Sequence, residues 1–327
     1  MKNLRRNEAK DLCDELMGDI FSDQDIAEIL IELATKGETA DEIAGFHDSL
    51  MQKAELFPSR KIAMDVCGTG GSGLDRFNVS TAVAFVLASL GVSIAKHGNR
   101  GSSKQNGSID FLEALDIPIE LDGKAASICL EEANLAFIYA KKIHPGLKKM
   151  VTSRSIAGCG TIFNLVGPLC NPANINKQVI GSTDEKLQQI LFQTAMAIGR
   201  EACIVVSGFP DIDEVSVAGP SKIMFARGIQ REVFPQELGV KQCDYNKIPC
   251  GDAKRNAQEF HKIIEGDGNQ ALEDLVSINA GIALYCDDQV DDFCSGTIEA
   301  RRAIRKGLVK DKFLEYKKMA VRISNGQ

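Results

Sequence analysis

The chain has 327 residues, 44% of them apolar and 25% charged, the composition of a soluble globular protein long enough for two domains. A net charge of −7 with no Lys/Arg run longer than two argues against a nucleic-acid-binding surface, and no apolar run approaches the ~18 residues of a membrane span. Ten cysteines without a C-x-x-C pair, several in apolar runs (Cys67, Cys129, Cys203), fit buried thiols in a reducing cytosol better than disulfides or zinc.

Residues 1–58 read as helices. The charged opening, MKNLRRNEAKDLCDEL, is helical and no signal peptide, so a cytoplasmic location is expected. Asn7–Gly18 ends at a turn signal, Ser22–Ala34 repeats apolar residues at helical spacing (Ile26, Ile29, Leu30, Leu33), and Thr39–Leu56 continues the pattern. Ser22 to Asp25 form a capped start and Lys36 to Thr39 a tight connection. Apolar stripes at this spacing belong to a core or a subunit contact.

Lys61 to Ala114 carries most of the chemistry. Ile62–Cys67 is a short apolar strand, followed by four glycines in six residues (Gly68, Gly70, Gly71, Gly73). Ser80–Leu90 reads as a helix with Asn78 as N-cap and Gly91 as its stop, and Val92–Ala95 as a second strand closed by Lys96-His97-Gly98-Asn99-Arg100. Such a β-loop-α-β unit binds ligands at the strand ends. Gly68, Gly70 and Gly73 satisfy G-x-G-x-x-G, but the helix is delayed past Phe77 and the second strand ends in Lys96 and His97 instead of an acid, so a dinucleotide fold fails on context. A phosphate loop of the G-K-[ST] kind fails because Leu74 stands where Lys is required. What remains is a set of freed backbone N–H groups near a helix start, with Ser80, Thr81, Lys96, Arg100, Ser102, Ser103 and Ser108 as short hydroxyls and cations suited to phosphate.

In order and spacing, GTGG-x-G (68–73), N-x-S-T (78–81) and KHGNR (96–100) resemble the anthranilate phosphoribosyltransferase family. The resemblance runs through LATKGETADEIAGF in the N-terminal region and covers essentially the whole chain. It implies an α/β fold with a small all-α N-terminal domain and a larger α/β domain around a central, mostly parallel sheet, of the nucleoside phosphorylase/phosphoribosyltransferase class. The implied boundaries are 1–65 for the helical, dimer-building domain with a return at about 144–176, and 66–143 with 177–327 for the α/β domain. Gly68, Thr69, Gly70, Gly71, Asn78, Ser80, Thr81, Lys96, Asn99 and Ser108 are then expected to bind 5-phosphoribosyl 1-diphosphate, and Gly68, Asn99, His144 and Arg154 the acceptor.

Farther along, Ile109–Leu115 and Gly123–Ala133 read as helices and Leu135–Ala140 as a strand. A lone histidine such as His144 is more often structural than chemical; the resemblance places it in the acceptor pocket. Leu147–Ala157 carries Lys148, Lys149 and Arg154, and Thr161–Ala173 is a short apolar helix stopped by Gly-Pro and Asn-Pro. Val179–Gly181, Glu185–Ile198 and Ala202–Ser207 restore the α/β pattern, and the last of these leads into Asp211, Asp213 and Glu214. Those acids are equally readable as a solvated loop; the resemblance makes Asp213 and Glu214, with Ser80, the holders of Mg²⁺, whose preference for a few carboxylates plus substrate phosphates they suit. Asp287, Asp288, Asp291 and Asp292 read as a surface loop without a role. The remainder looks like strands followed by packing helices.

The implied reaction moves the phosphoribosyl group of 5-phosphoribosyl 1-diphosphate to the amine of anthranilate, in tryptophan biosynthesis, with a homodimer as the working form and no nucleic acid or membrane as partner. Several positions depart from the family pattern: Ser72 replaces an acid, Lys104 and Gln105 alter the second loop, Lys141 replaces a proline, and Thr152, Ser153 and Gly160 alter the acceptor segment, while Arg154 is kept. The diphosphoribose half therefore looks intact and the acceptor half remodelled. A paralogue acting on another aromatic amine, a pyrimidine-nucleoside phosphorylase and a non-catalytic nucleic-acid binder are the competing readings; KHGNR, the charge and the acid pair disfavour the last two.

Overall fold

The structure is a computed structural model that describes residues 1–70, 76–101 and 106–326. Three helices lead: α1 (Arg6–Leu16), α2 (Asp23–Lys36) and α3 (Ala40–Gln52). Two of their starts are set by reciprocal caps, in which Ser22 and Asp25, and Thr39 and Glu42, exchange side-chain and backbone hydrogen bonds. Glu42 is fully buried and also accepts from Leu4 N at 2.9 Å and Lys36 Nζ at 2.8 Å, so one carboxylate ties together the chain before α1, the end of α2 and the start of α3.

The α/β part follows as β1 (Ala63–Gly68), α4 (Val79–Ser89), β2 (Ile94–Gly98), α5 (Ser108–Ala114), α6 (Gly123–Ala133) and β3 (Leu135–Tyr139). Then come α7 (Ala140–Ile143), α8 (Met150–Ala157) and α9 (Ile162–Val166), before the sheet resumes with β4 (Ile175–Gly181), α10 (Glu185–Ala197), β5 (Ala202–Gly208), β6 (Ser221–Phe225) and β7 (Ile229–Val233). Four helices close the chain: α11 (Ala253–Glu265), α12 (Gln270–Cys286), α13 (Phe293–Arg305) and α14 (Leu308–Ser324).

Among the described residues seven strands form one sheet in the order β3-β2-β1-β4-β5-β6-β7, parallel except for β6 and β7. Alternation along the strands separates two apolar cores. Val66, Val179, Ile204 and Ile223 face α4 and α11–α14, while Cys67, Ile180, Val205 and Met224 face α10 and the helices α1–α3, α8 and α9. Thus α8 and α9 return from the middle of the chain to pack on α2 and α3.

Most predicted elements are present with ends moved by one to three residues. β4 is longer than the predicted Val179–Gly181, because Ile175–Gln178 pair with β1 despite their polar content. α3 stops at Gln52, short of Leu56, which is exposed. The acids at 287–292 are not idle: Asp287 and Asp288 pair with Lys177, and Asp292 caps α13 by accepting from Ser295 N at 2.8 Å.

Candidate active site

Strand order reverses between β1 and β4, so the loops after β1 and β2 leave in one direction and those after β4 and β5 in the other, opening a crevice at the carboxyl ends. All four of these strands end in glycine: Gly68, Gly98, Gly181 and Gly208. A Cβ on Gly68 or Gly181 would collide with Asp213, and one on Gly208 with the carbonyl of Glu214. The bare strand ends are what let the 209–216 loop fold back across the sheet and deliver its two acids. That loop is then pinned by reciprocal Gly208–Ile212 backbone bonds and by Asn279 of α12, which both accepts from and donates to Val215 at 2.9 Å.

The crevice is a cleft of about 520 Å³, within the range of small-molecule sites. One end holds Gly68, Thr69, Gly70, Asn78, Ser80, Thr81, Lys96, Asn99, Ser108, Asp213 and Glu214; the other holds His144 and Arg154. Every predicted site residue that the structure describes lines this single space. Gly71 lies outside the described residues, as do Ser72, Ser102, Ser103, Lys104 and Gln105.

The charged groups are interlocked. Asp213 Oδ2 accepts from Gly70 N at 2.8 Å, and its Oδ1 forms an ion pair with Arg76 Nη1. The same Arg76 nitrogen lies 3.3 Å from Glu214 Oε2. Burial raises the Glu214 carboxyl above its ordinary range, opposed by Arg76 and Lys96. Lys96 is 3% exposed, donates to Val66 O at 2.7 Å and is pulled down by burial, with Asp65 and Glu214 opposing. Asp65, wholly buried in β1, is pushed up to about 6 by burial and accepts from Asn171 Nδ2 at 2.9 Å.

Arg76 and Asp65 have no counterpart among the predicted site residues. Asp65 had a signal, since an acid inside an apolar strand demands a partner. Arg76 had none, because only the folded loop brings it against two acids so distant in the chain. The loops themselves are framed by three asparagines. Asn256 of α11, fully buried, donates to Arg76 O at 2.8 Å and to Asn78 Oδ1 and Asn106 Oδ1 at 3.0 Å, while Asn106 Nδ2 also donates to Arg76 O at 2.8 Å. Arg100, expected to offer a fork to phosphate, is instead bound by Asp110 at 2.7 Å and Glu113 at 2.8 Å, which raise its pKa. It braces the second loop.

At the far end, His144 Nε2 donates to Cys170 O at 2.7 Å and the ring packs edge-on against His97 at 5.4 Å. Burial lowers its pKa, so the ring is neutral and its Nδ1 is left as an acceptor. Arg154 stands 5.9 Å over the Phe163 ring and donates to Asn164 Oδ1 at 3.3 Å; no carboxylate pairs with it among the described residues, and burial lowers its pKa. The remodelling expected here is smaller than the substitutions suggested. Lys141 and Thr152 are exposed, Ser153 is buried against Asp23 of α2 at 2.8 Å, and none of Lys141, Thr152, Ser153 or Gly160 lines the cleft. Lys141, Thr152 and Gly160 face outward on α7, α8 and the turn after it and Ser153 faces α2, which helical periodicity decides and the motif alone does not.

Two models of the glycosyl transferase family match the chain, its helical bundle domain over residues 1–54 and its a/b domain over residues 60–310. Anthranilate phosphoribosyltransferase of Desulfatibacillum aliphaticivorans is 36% identical, covering 94% of this chain and 91% of its own length. That of Brevibacillus brevis is 37% identical, covering 95% and 92%. Among solved structures, anthranilate phosphoribosyltransferase from Thermus thermophilus superposes with a TM-score of 0.92 at 28% identity over 98% of this chain and 96% of that one. The enzyme from Saccharomyces cerevisiae, in complex with PRPP and Mg, has the same fold with a TM-score of 0.86 at 23% identity, covering 97% and 94%. With the motif cleft at the switch point and relatives matched across both its parts, the chain belongs to the anthranilate phosphoribosyltransferase family.

Proposed function

We propose that this protein transfers the phosphoribosyl group of 5-phosphoribosyl 1-diphosphate to the amine of anthranilate, releasing diphosphate. The observation that carries the reading is one continuous cleft with amide, hydroxyl and carboxylate groups at one end and, at the other, an arginine that no carboxylate pairs with among the described residues. The first end suits a sugar diphosphate and the second an aromatic acid.

In this reading Gly68, Thr69, Gly70, Gly71, Asn78, Ser80, Thr81, Lys96, Asn99 and Ser108 hold the phosphoribosyl diphosphate, with backbone N–H and hydroxyl donors on its oxygens. Arg154 meets the acceptor carboxylate, for which a guanidinium fork is suited, and Gly68, Asn99 and His144 frame the ring. Transfer proceeds through a cation-like sugar, so the residues act by fixing the amine behind C1 and stabilising the departing diphosphate. An aromatic amine is neutral and needs no strong base, in keeping with a site whose histidines, His97 and His144, are buried and neutral.

Mg²⁺ fits the donor set. Ser80, Asp213 and Glu214 line the cleft and supply hard oxygens, and Mg²⁺ takes its other ligands from water and phosphate. When bound it would neutralise the diphosphate and orient it. The Saccharomyces cerevisiae neighbour bound to PRPP and Mg supports this.

We further read residues 1–65 with 144–176 as a helical unit that builds a homodimer, supported by exposed Ile20 on its surface at 72% and Val151 at 65%; a monomer by light scattering at micromolar concentration would count against it. Among the described residues no helix is long and apolar enough to cross a membrane, and a cytoplasmic place in tryptophan synthesis is the setting this activity implies. The test is turnover of purified protein with 5-phosphoribosyl 1-diphosphate, Mg²⁺ and a panel of aromatic amines. Anthranilate-dependent diphosphate release is expected. Release with only a different amine would make the protein a paralogue.

A further inference from the structure

Arg76 sits between the carboxylates of Asp213 and Glu214. A single nitrogen, Nη1, faces Asp213 Oδ1 and lies 3.3 Å from Glu214 Oε2. The other oxygen of Asp213 is already taken by Gly70 N at 2.8 Å. Both carboxylates are therefore engaged within the chain. The arrangement is built rather than incidental: the Arg76 side chain is 18% exposed, and its carbonyl is held at 2.8 Å by both Asn106 and Asn256.

We propose that Arg76 is a resident counter-ion for the metal-binding carboxylates, so that a divalent cation must displace its guanidinium before Asp213 and Glu214 can coordinate. The inference rests on the phosphoribosyl-transfer reading, which makes that pair the metal site. Charge favours the exchange only when substrate is present. Two carboxylates and one guanidinium leave one net negative charge, too little to draw a doubly charged ion away from water. A diphosphate brings the missing negative charge and offers the released guanidinium oxygens it can grip bidentately. Arg76 then makes metal capture follow substrate binding, and it positions the acids while the site waits.

The test measures Mn²⁺ binding to full-length protein without the sugar diphosphate, following free Mn²⁺ by electron paramagnetic resonance. R76Q and R76M, two neutral variants that differ in polarity, should bind Mn²⁺ about tenfold or more tighter than the wild type. R76K keeps the charge and should stay within about twofold of the wild type. Adding D213N and E214Q to R76Q should abolish the gain. If the neutral variants bind Mn²⁺ no tighter while D213N/E214Q still removes binding, the role of Arg76 is overturned and the metal site stands. If Mn²⁺ binding ignores D213N/E214Q, the metal site itself is wrong and this proposal falls with it.

Discussion

Asp213 and Glu214 share the Arg76 guanidinium, and Asp213 is also held by Gly70 N while burial raises the Glu214 carboxyl. Replacing both with alanine should lower turnover at least ~100-fold, the scale of losing one preorganised electrostatic element. Full turnover of the double variant at low Mg²⁺ would remove them from the mechanism. Arg154 poses a separate question of selectivity. Arg154→Ala should raise KM for the aromatic acid far more than for the sugar diphosphate, a loss of roughly 1.5–3 kcal/mol for a charged hydrogen bond. Equal changes in both constants would place it outside the acceptor pocket. Because Gly160 and Thr152 lie off the cleft, the altered acceptor segment gives less reason to expect loosened selectivity than its substitutions suggest.

Among elements, the site depends on two loops held from a distance. Asn256 on α11 joins the loop before α4 to the loop before α5 through Arg76, Asn78 and Asn106. Asn256→Ala would strand buried acceptors at a cost of about 1–3 kcal/mol. Its kinetic signature should be a higher KM for the sugar diphosphate with the aromatic-acid KM little changed, since both braced loops lie at the end proposed for the diphosphate. Steady-state kinetics with each substrate varied would show this, and a pure kcat effect would contradict it. Asn279 does the same for the acid loop from α12, which is why helices far from the cleft in sequence matter to it.

For the whole molecule, buried histidines set an acid limit. Burial lowers His97 to about 3 and His47 to about 4, and it lowers His144 as well. Unfolded, each binds a proton near 6.5, so their contributions are fully present above that pH and are lost as it falls toward 4 and 3. Asp65, raised to about 6, acts oppositely: its contribution is present at low pH and is lost as pH rises through 6. His97 and His47 against Asp65 leave a net loss of about 2 kcal/mol between pH 7 and 5, and His144 adds to it. Urea unfolding at the two pH values would measure it, and His47→Gln should recover roughly 2 kcal/mol of that loss. A protein equally stable at pH 5 would show that these rings are not held neutral.

Local signals determined much of this protein. Periodicity placed the helices and strands, Ser22 and Asn78 marked helix starts, and three spaced motifs marked one end of the cleft, because each rests on residues within one turn of each other. The tertiary structure alone decided the rest. It set Arg76 between two acids more than 130 positions away, turned Arg100 from substrate toward Asp110 and Glu113, and directed Ser153 onto α2. It also showed why four strands end in glycine, a requirement visible only where another segment crosses them. Short-range order follows from spacing along the chain; which charge faces which depends on loops closing over a sheet.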